Sequence, residues 1–174
     1  VAGAFVAGMT CPQEGTYTNT WTVTDACGNI SEVYTQVISI TDNTAPVWTT
    51  MAGALNATLE CSDAAGIALA QAAIPVATDN CDVDVVNIVE VAGAFVPGMS
   101  CPQEGTYTNT WTVTDACGNI SEVYTQVITI TDNTAPAWTT MAGALDATLE
   151  CSDAAGIAAA QALIPVATDN CDGD

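Results

Sequence analysis

The chain has 174 residues, 20 of them Asp or Glu, and no Lys, Arg or His. Phosphate and anionic lipid surfaces are held by Lys and Arg, so this composition argues against nucleic acid as a partner and against direct membrane insertion. The acidity does not signal a disordered chain, because 49% of the residues are apolar and eight are cysteine.

Residues 1–84 repeat as residues 91–174, with an offset of 90 and eight differing positions. That period is too long for a solenoid unit and suits one β-sandwich domain. Pro46 and Pro136 stop long β-patterned runs, as proline does. The expected organisation is therefore all-β, with tandem Ig-like Greek-key sandwiches of 90 residues placed end to end. Residues 1–43 read as the C-terminal half of a preceding repeat, 44–133 as a complete repeat, and 134–174 as the N-terminal half of a following one. Neighbouring copies of the chain are expected to supply the missing halves.

In chain order through the complete repeat, Trp48 to Glu60 reads as a strand broken at Met51–Ala54. The Ala-rich stretch from Ser62 to Ala73 suits a short helical turn. Ile74 to Thr78 is a short strand and Asp79 to Asp84 a loop. Val85 to Val91 is a strand, and the Gly- and Pro-containing run Ala92 to Ser100 is irregular with a short edge strand. Tyr107 to Asp115 has the clearest period-2 pattern, with Tyr107, Trp111 and Val113 on one face and a row of threonines on the other. Tyr107 is a candidate tyrosine corner. Ala116–Asn119 is a turn, and Glu122 to Thr131 is the last strand.

An even number of cysteines at regular spacing, with no His and no C-x-x-C pair, reads as disulfides in an oxidising, extracellular compartment. Within the complete repeat, sequence neighbours would pair Cys101 with Cys117. The strand between them spans roughly 30 Å, whereas disulfide Cα atoms approach within about 7 Å. Strand direction places Cys61 and Cys101 at one pole and Cys81 and Cys117 at the other, so Cys61–Cys101 and Cys81–Cys117 are the expected pairs. Cys11, Cys27, Cys151 and Cys171 are then left for adjacent copies.

The same directions gather acidic side chains at the joints between repeats. At the first joint they are Asp42, Asn43, Asp79, Asn80, Asp82, Asp84, Asp115 and Asn119, faced by Glu14, with Asp25 and Asn29 as the corresponding turn of the preceding repeat. At the second they are Asp132, Asn133, Asp169, Asn170, Asp172 and Asp174, faced by Glu104, Glu60 and Asp63. Ca²⁺ takes six to eight oxygen ligands of these kinds, so it is the expected cofactor. The competing reading is that Asp and Asn sit here as turn formers.

Thr-Asp-Asn-Thr-Ala-Pro, Thr-Asp-Asn-Cys-Asp-Val-Asp and Trp-Thr-Val-Thr-Asp-Ala-Cys-Gly-Asn resemble the hyalin-repeat type of Ig-like domain, which recurs in long surface proteins of Bacteroidetes-like bacteria. The joint is also similar to the calcium-binding linkers of cadherins, with one Asp-Asn pair only. The resemblance implies adhesion or scaffolding at the cell surface or outside the cell. The favoured expectation is a structural segment of a calcium-stiffened, disulfide-stapled fibre, stalk or adhesin whose partners are copies of itself. The alternative is a module whose loops or threonine face hold a surface glycan or other ligand. No residue is expected to be catalytic, since only carboxylates, Tyr and paired Cys remain as acid–base groups.

Overall fold

A computed structural model describes residues 1–82 and 85–172. The fold is all-β and Ig-like, with two short helices. The strands are β1 (Phe5–Ala7), β2 (Gly15–Trp21), β3 (Tyr34–Ile40), β4 (Val47–Trp48), β5 (Ala57–Glu60), β6 (Ala77–Thr78), β7 (Asn87–Val91), β8 (Val96–Pro97), β9 (Gly105–Thr114), β10 (Tyr124–Thr131), β11 (Ala137–Trp138) and β12 (Ala167–Thr168). Helix α1 covers Ala64–Gln71 and α2 covers Ala154–Gln161. Both helices begin in the same way. Asp63 Oδ1 accepts the Gly66 N–H at 2.9 Å, Asp153 Oδ1 accepts that of Gly156 at 2.9 Å, and an alanine run follows.

The chain divides into two compact units. One comprises Val1–Asn56, Ala73–Ala94 and Thr108–Val127. It holds the antiparallel sheet β1-β2-β3, the β4–β6 pair, and β7 paired antiparallel with Thr110–Thr114 of β9. The other comprises Ala57–Ala72, Phe95–Tyr107 and Ile128–Asp174. There β5 pairs in parallel with Ile128–Thr131 of β10, β8 pairs with the start of β9, and β11 pairs with β12. The sheet order through the central strands is β5-β10-β9-β7, with β8 also on β9.

The alternation expected of β9 is present: Trp111 and Val113 are buried and the intervening threonines are half-buried. On β10, Tyr124, Ile128 and Ile130 are likewise buried. Trp111 meets Tyr124 edge-on, with ring centroids 6.0 Å apart, and Tyr124 meets Trp48 edge-on at 5.6 Å. The tyrosine that anchors through its hydroxyl is Tyr124, which donates to the Met51 carbonyl at 3.0 Å. Tyr107, the candidate corner, packs its ring against Phe95 at 5.1 Å.

The core also contains a polar relay. Asn109 Oδ1 accepts the Gly93 N–H at 2.9 Å, Asn109 Nδ2 donates to Gln126 Oε1 at 3.0 Å, and Gln126 Nε2 donates to the Leu55 carbonyl at 2.7 Å. Position 93 has to be glycine, because a Cβ there would lie 2.1 Å from the Thr108 carbonyl oxygen. The counterparts one repeat earlier, Asn19 and Gln36, also bond to each other, at 3.2 Å, but on an exposed sheet.

This contrast makes an internally controlled experiment. Asn109→Ala strands the Gly93 N–H and one end of Gln126 in the core, and is expected to cost about 2 kcal/mol in denaturant unfolding. Asn19→Ala, in monomeric protein, is expected to cost less than about 0.5 kcal/mol, because water replaces the lost partner. Equal costs would contradict the assignment of the relay to the core.

Candidate functional site

The first joint lies in the first unit. Asp42 follows β3 and is only 5% exposed. Its N–H donates to Glu14 Oε1 at 3.2 Å, its Oδ1 accepts the Thr44 N–H at 3.2 Å, and its carbonyl accepts from Asn119 Nδ2 at 3.1 Å. Its other oxygen, Oδ2, is buried with no hydrogen-bond donor. Asp79 repeats this pattern. Its Oδ1 accepts the N–H groups of Cys81 and Asp82, at 2.8 and 3.0 Å, and its Oδ2 is buried and unpartnered. One ligand atom from each of Asp42, Asp79 and Cys81 lies within 4.8 Å of the others. Burial pushes the Cys81 thiol above its ordinary pKa, and the charges of Asp42 and Asp79 push it further. The carboxylates of Asp42 and Asp79 present hard oxygen donors to a cation, as Ca²⁺ or Mg²⁺ prefers.

The turn after β9 is held by its own side chains. Asp115 Oδ1 accepts the N–H groups of Cys117 and Asn119, at 2.9 and 2.8 Å, and its Oδ2 accepts from Asn119 Nδ2 at 2.8 Å. Gly118 closes the turn at φ +93°, a conformation that suits glycine. Asp82 Oδ2 accepts the Ala116 N–H at 3.2 Å and draws this turn to the 79–82 loop. Asp25 and Asn29 build the same turn one repeat earlier, and hydrogen bonds from Asn29, side chain first, hold the Asp25 carboxyl below its ordinary range. These four residues thus act as turn formers.

The second joint lies in the second unit. Asp132 N–H donates to Glu104 Oε1 at 3.2 Å, as Asp42 does to Glu14. Asp169 Oδ1 accepts the Cys171 N–H at 2.9 Å, and its Oδ2 is again buried and unpartnered. The loop after β5 closes over this joint. Glu60 Oε1 accepts from the Asn133 N–H and from the Thr134 hydroxyl, both at 3.0 Å, and Ser62 Oγ accepts from Asn170 Nδ2 at 2.8 Å. The roles of Ser62 and Thr134 were not foreseen from sequence; Thr134 directly follows the Asp132-Asn133 pair, whereas Ser62, between Cys61 and Asp63, carries no such signal. Asp63 caps α1 and Asp172 is exposed. Asn43 and Asn80 bond locally, to Thr41 Oγ1 at 3.3 Å and to Cys81 Sγ at 3.2 Å. Asp84 and Asp174 lie outside the described residues.

The disulfides correct the pairing expected from strand direction. Cys11 is bonded to Cys117, with Cα atoms 4.6 Å apart, and Cys61 to Cys171, at 5.7 Å. Neither Cys61–Cys101 nor Cys81–Cys117 forms, and Cys11 and Cys171 find partners within the chain. Cys27, Cys81, Cys101 and Cys151 are unpaired. The expectation treated each pole as closed within its own repeat. The bonds instead join cysteines 106 and 110 residues apart, each pair drawn from two different copies of the 90-residue sequence repeat.

Residues 49–130 match the family model of an HYR-like domain with four cysteines. The stretch contains Cys61, Cys81, Cys101 and Cys117. No curated protein and no solved structure matches the chain.

The turn carries a pH signature in metal-free protein. Burial raises the Asp115 pKa, but hydrogen bonds from the Asn119 side chain and from the Asn119, Cys117 and Gly118 N–H groups outweigh it, and the net direction is down. With a folded pKa below the unfolded one, Asp115 stabilises the fold above the ordinary carboxylate pKa, and that contribution is lost as pH falls through the folded value. Asp115→Asn is expected to lower stability by about 2 kcal/mol at neutral pH. It should also flatten the fall in stability below about pH 4. An unchanged acid-denaturation profile would contradict this role.

Proposed function

Since residues 49–130 form a hyalin-type repeat, we propose that the protein is a structural, extracellular repeat protein, a segment of a fibre, stalk or adhesin whose joints are stiffened by Ca²⁺. The observation that carries the calcium reading is the pair of buried, unpartnered carboxylate oxygens, Asp42 Oδ2 and Asp79 Oδ2, in a chain with no cationic side chain. Buried anionic oxygens without a donor are costly, and a bound cation removes that cost. Asp42 and Asp79 are the carboxylates that would hold the ion at the first joint. Asp132 and Asp169 occupy the corresponding positions at the second, where Asp169 Oδ2 is likewise unpartnered. Nearby carbonyls and water would complete the six to eight oxygens Ca²⁺ takes.

The consequence would be mechanical. An ion shared between a residue leaving one repeat and a loop of the next resists bending at the joint, and the disulfides bridging 106 and 110 residues resist separation. The 90-residue repeats would then act as rigid units in an end-to-end array, and the boundaries 1–43, 44–133 and 134–174 would mark where one unit gives way to the next. Disulfides fit an oxidising space outside the cell. The reading assigns the protein scaffolding and adhesion, not chemistry.

Thermal melting with calcium and with a chelator tests this. A site occupied at 100 times its Kd should add about 2.7 kcal/mol to stability. Chelation should reverse the gain, and Asp42→Asn with Asp79→Asn should remove most of it. Melting that is indifferent to calcium would overturn the calcium joint.

A further inference from the structure

The two disulfides interleave along the chain. Cys61 lies inside the loop that Cys11–Cys117 closes, and Cys117 lies inside the loop that Cys61–Cys171 closes. Bonds that followed one another in sequence would leave stretches of single chain between separate loops. Interleaved bonds instead make two covalent nodes, Cys11 with Cys117 and Cys61 with Cys171, joined by three backbone routes. The first route runs from Cys11 to Cys61, the second from Cys61 to Cys117 and the third from Cys117 to Cys171. By residue number they are 50, 56 and 54 residues long. All three lie between residues 11 and 171, and every cysteine at a node has its partner within the chain.

The fold sets the routes side by side. In the sheet order β5-β10-β9, the first, third and second routes each contribute one strand. Hydrogen bonds tie them again outside the sheet. Glu60 on the first route accepts the Asn133 N–H of the third at 3.0 Å, and Glu104 on the second accepts the Asp132 N–H of the third at 3.2 Å. Trp48 Nε1 on the first route donates to the Glu122 carbonyl of the third at 2.7 Å. A cut in one loop therefore leaves its new ends beside routes that are still whole. The exposed turns are spread over the routes as well. Met51, Met99 and Met141 stand exposed outside the strands and helices, on the first, second and third routes in turn. Exposed loops of this kind are where proteases nick a folded chain.

We propose that the interleaved disulfides make residues 11–171 a break-tolerant tether, whose ends stay covalently joined after the backbone is hydrolysed on any one route or any two. This rests on the reading above of an extracellular segment held under tension in an end-to-end array. Hydrolysis adds one water across one peptide bond and leaves one carboxylate and one amine. The disulfides take no part, so the uncut routes are unaltered. Little length is lost to the damage. With the shortest route cut, the next is 4 residues longer, about 14 Å when fully extended. The pairing expected from strand direction, Cys61–Cys101 with Cys81–Cys117, gives no such protection. One cut at Met51 or at Met141 would then part the chain.

The test uses the whole 174-residue chain, folded under oxidising conditions, with its free thiols alkylated before cutting. Cyanogen bromide cuts after methionine in denaturing acid and spares disulfides, and the four methionines are Met9, Met51, Met99 and Met141. Met→Leu variants that keep only Met51, only Met99 or only Met141 should run as one species of 17.7 kDa without reductant and as two fragments with it. Variants that keep any two of these three should also stay whole, and give three fragments on reduction. Met9 lies before Cys11, so a variant keeping it alone should lose residues 1–9 without reductant. The wild-type chain, cut at all four, should give two disulfide-linked pairs, 10–51 with 100–141 and 52–99 with 142–174. That map needs no substitution, so it decides the connectivity whether or not a variant folds. Folded wild-type protein nicked by elastase should likewise keep residues 11–171 together until reductant is added.

Separation of any of the three single-cut variants without reductant would overturn the proposal. So would recovery of fragment 10–51 or 142–174 unbonded from the wild-type map. A chain that stays whole when cut, but melts indifferently to calcium, would sink the calcium joint and leave the tether standing. A chain that falls apart when cut, yet gains stability from calcium, would do the reverse.

Discussion

The structure depends on one electrostatic constraint: 20 carboxylates and no cationic side chain to neutralise any of them. Each acid near the interior must find donors elsewhere. Asp115 takes three from its own turn, Asp42 and Asp79 hold one oxygen each with backbone N–H groups, and Glu60 and Glu104 accept from the backbone of the joint. The acidic side chains thus shape turns and loops, and the buried carboxylate oxygens left without a donor are those of Asp42, Asp79 and Asp169. Charge repulsion that would destabilise a compact acidic chain becomes, under the calcium proposal, a means of binding a counterion at the joint.

The disulfides act at the same places. Because they bridge long stretches of chain, reduction would release much more conformational freedom than a short loop allows, about 4 to 5 kcal/mol for each in the chain-entropy account. The covalent and electrostatic ties at a joint also share residues. Asp132 sits beside the bonded pair Cys61 and Cys171, whereas at the first joint the cysteine beside Asp42 and Asp79 is the unpaired Cys81.

The near-identical halves show how far burial depends on what surrounds a residue. Trp21 and Trp111 share their local sequence and their place beside the next strand, yet one is half-exposed and the other buried. Ala57–Glu60 and Ala147–Glu150 have the same residues, but only the first forms a strand. Local propensity is equal in each pair, so the difference comes from tertiary packing alone.

The sequence by itself determined the all-β class, the long strands β9 and β10, the Ala-rich helical stretch, and the grouping of Asp42 with the 79–82 loop, because period-2 patterning, turn chemistry and strand direction are local properties. It did not reveal that Asn109 and Gln126 would be buried polar partners, since an Asn on an apolar face reads as a flaw until its bonding partners are in place. It also did not reveal which cysteines would pair. Cys61, Cys81, Cys101 and Cys117 could be assigned to poles from strand direction, but the choice among cysteines at a pole rests on distances of a few ångströms between segments far apart in sequence. The tertiary structure decided that, by bringing Cys11 to Cys117 and Cys171 to Cys61.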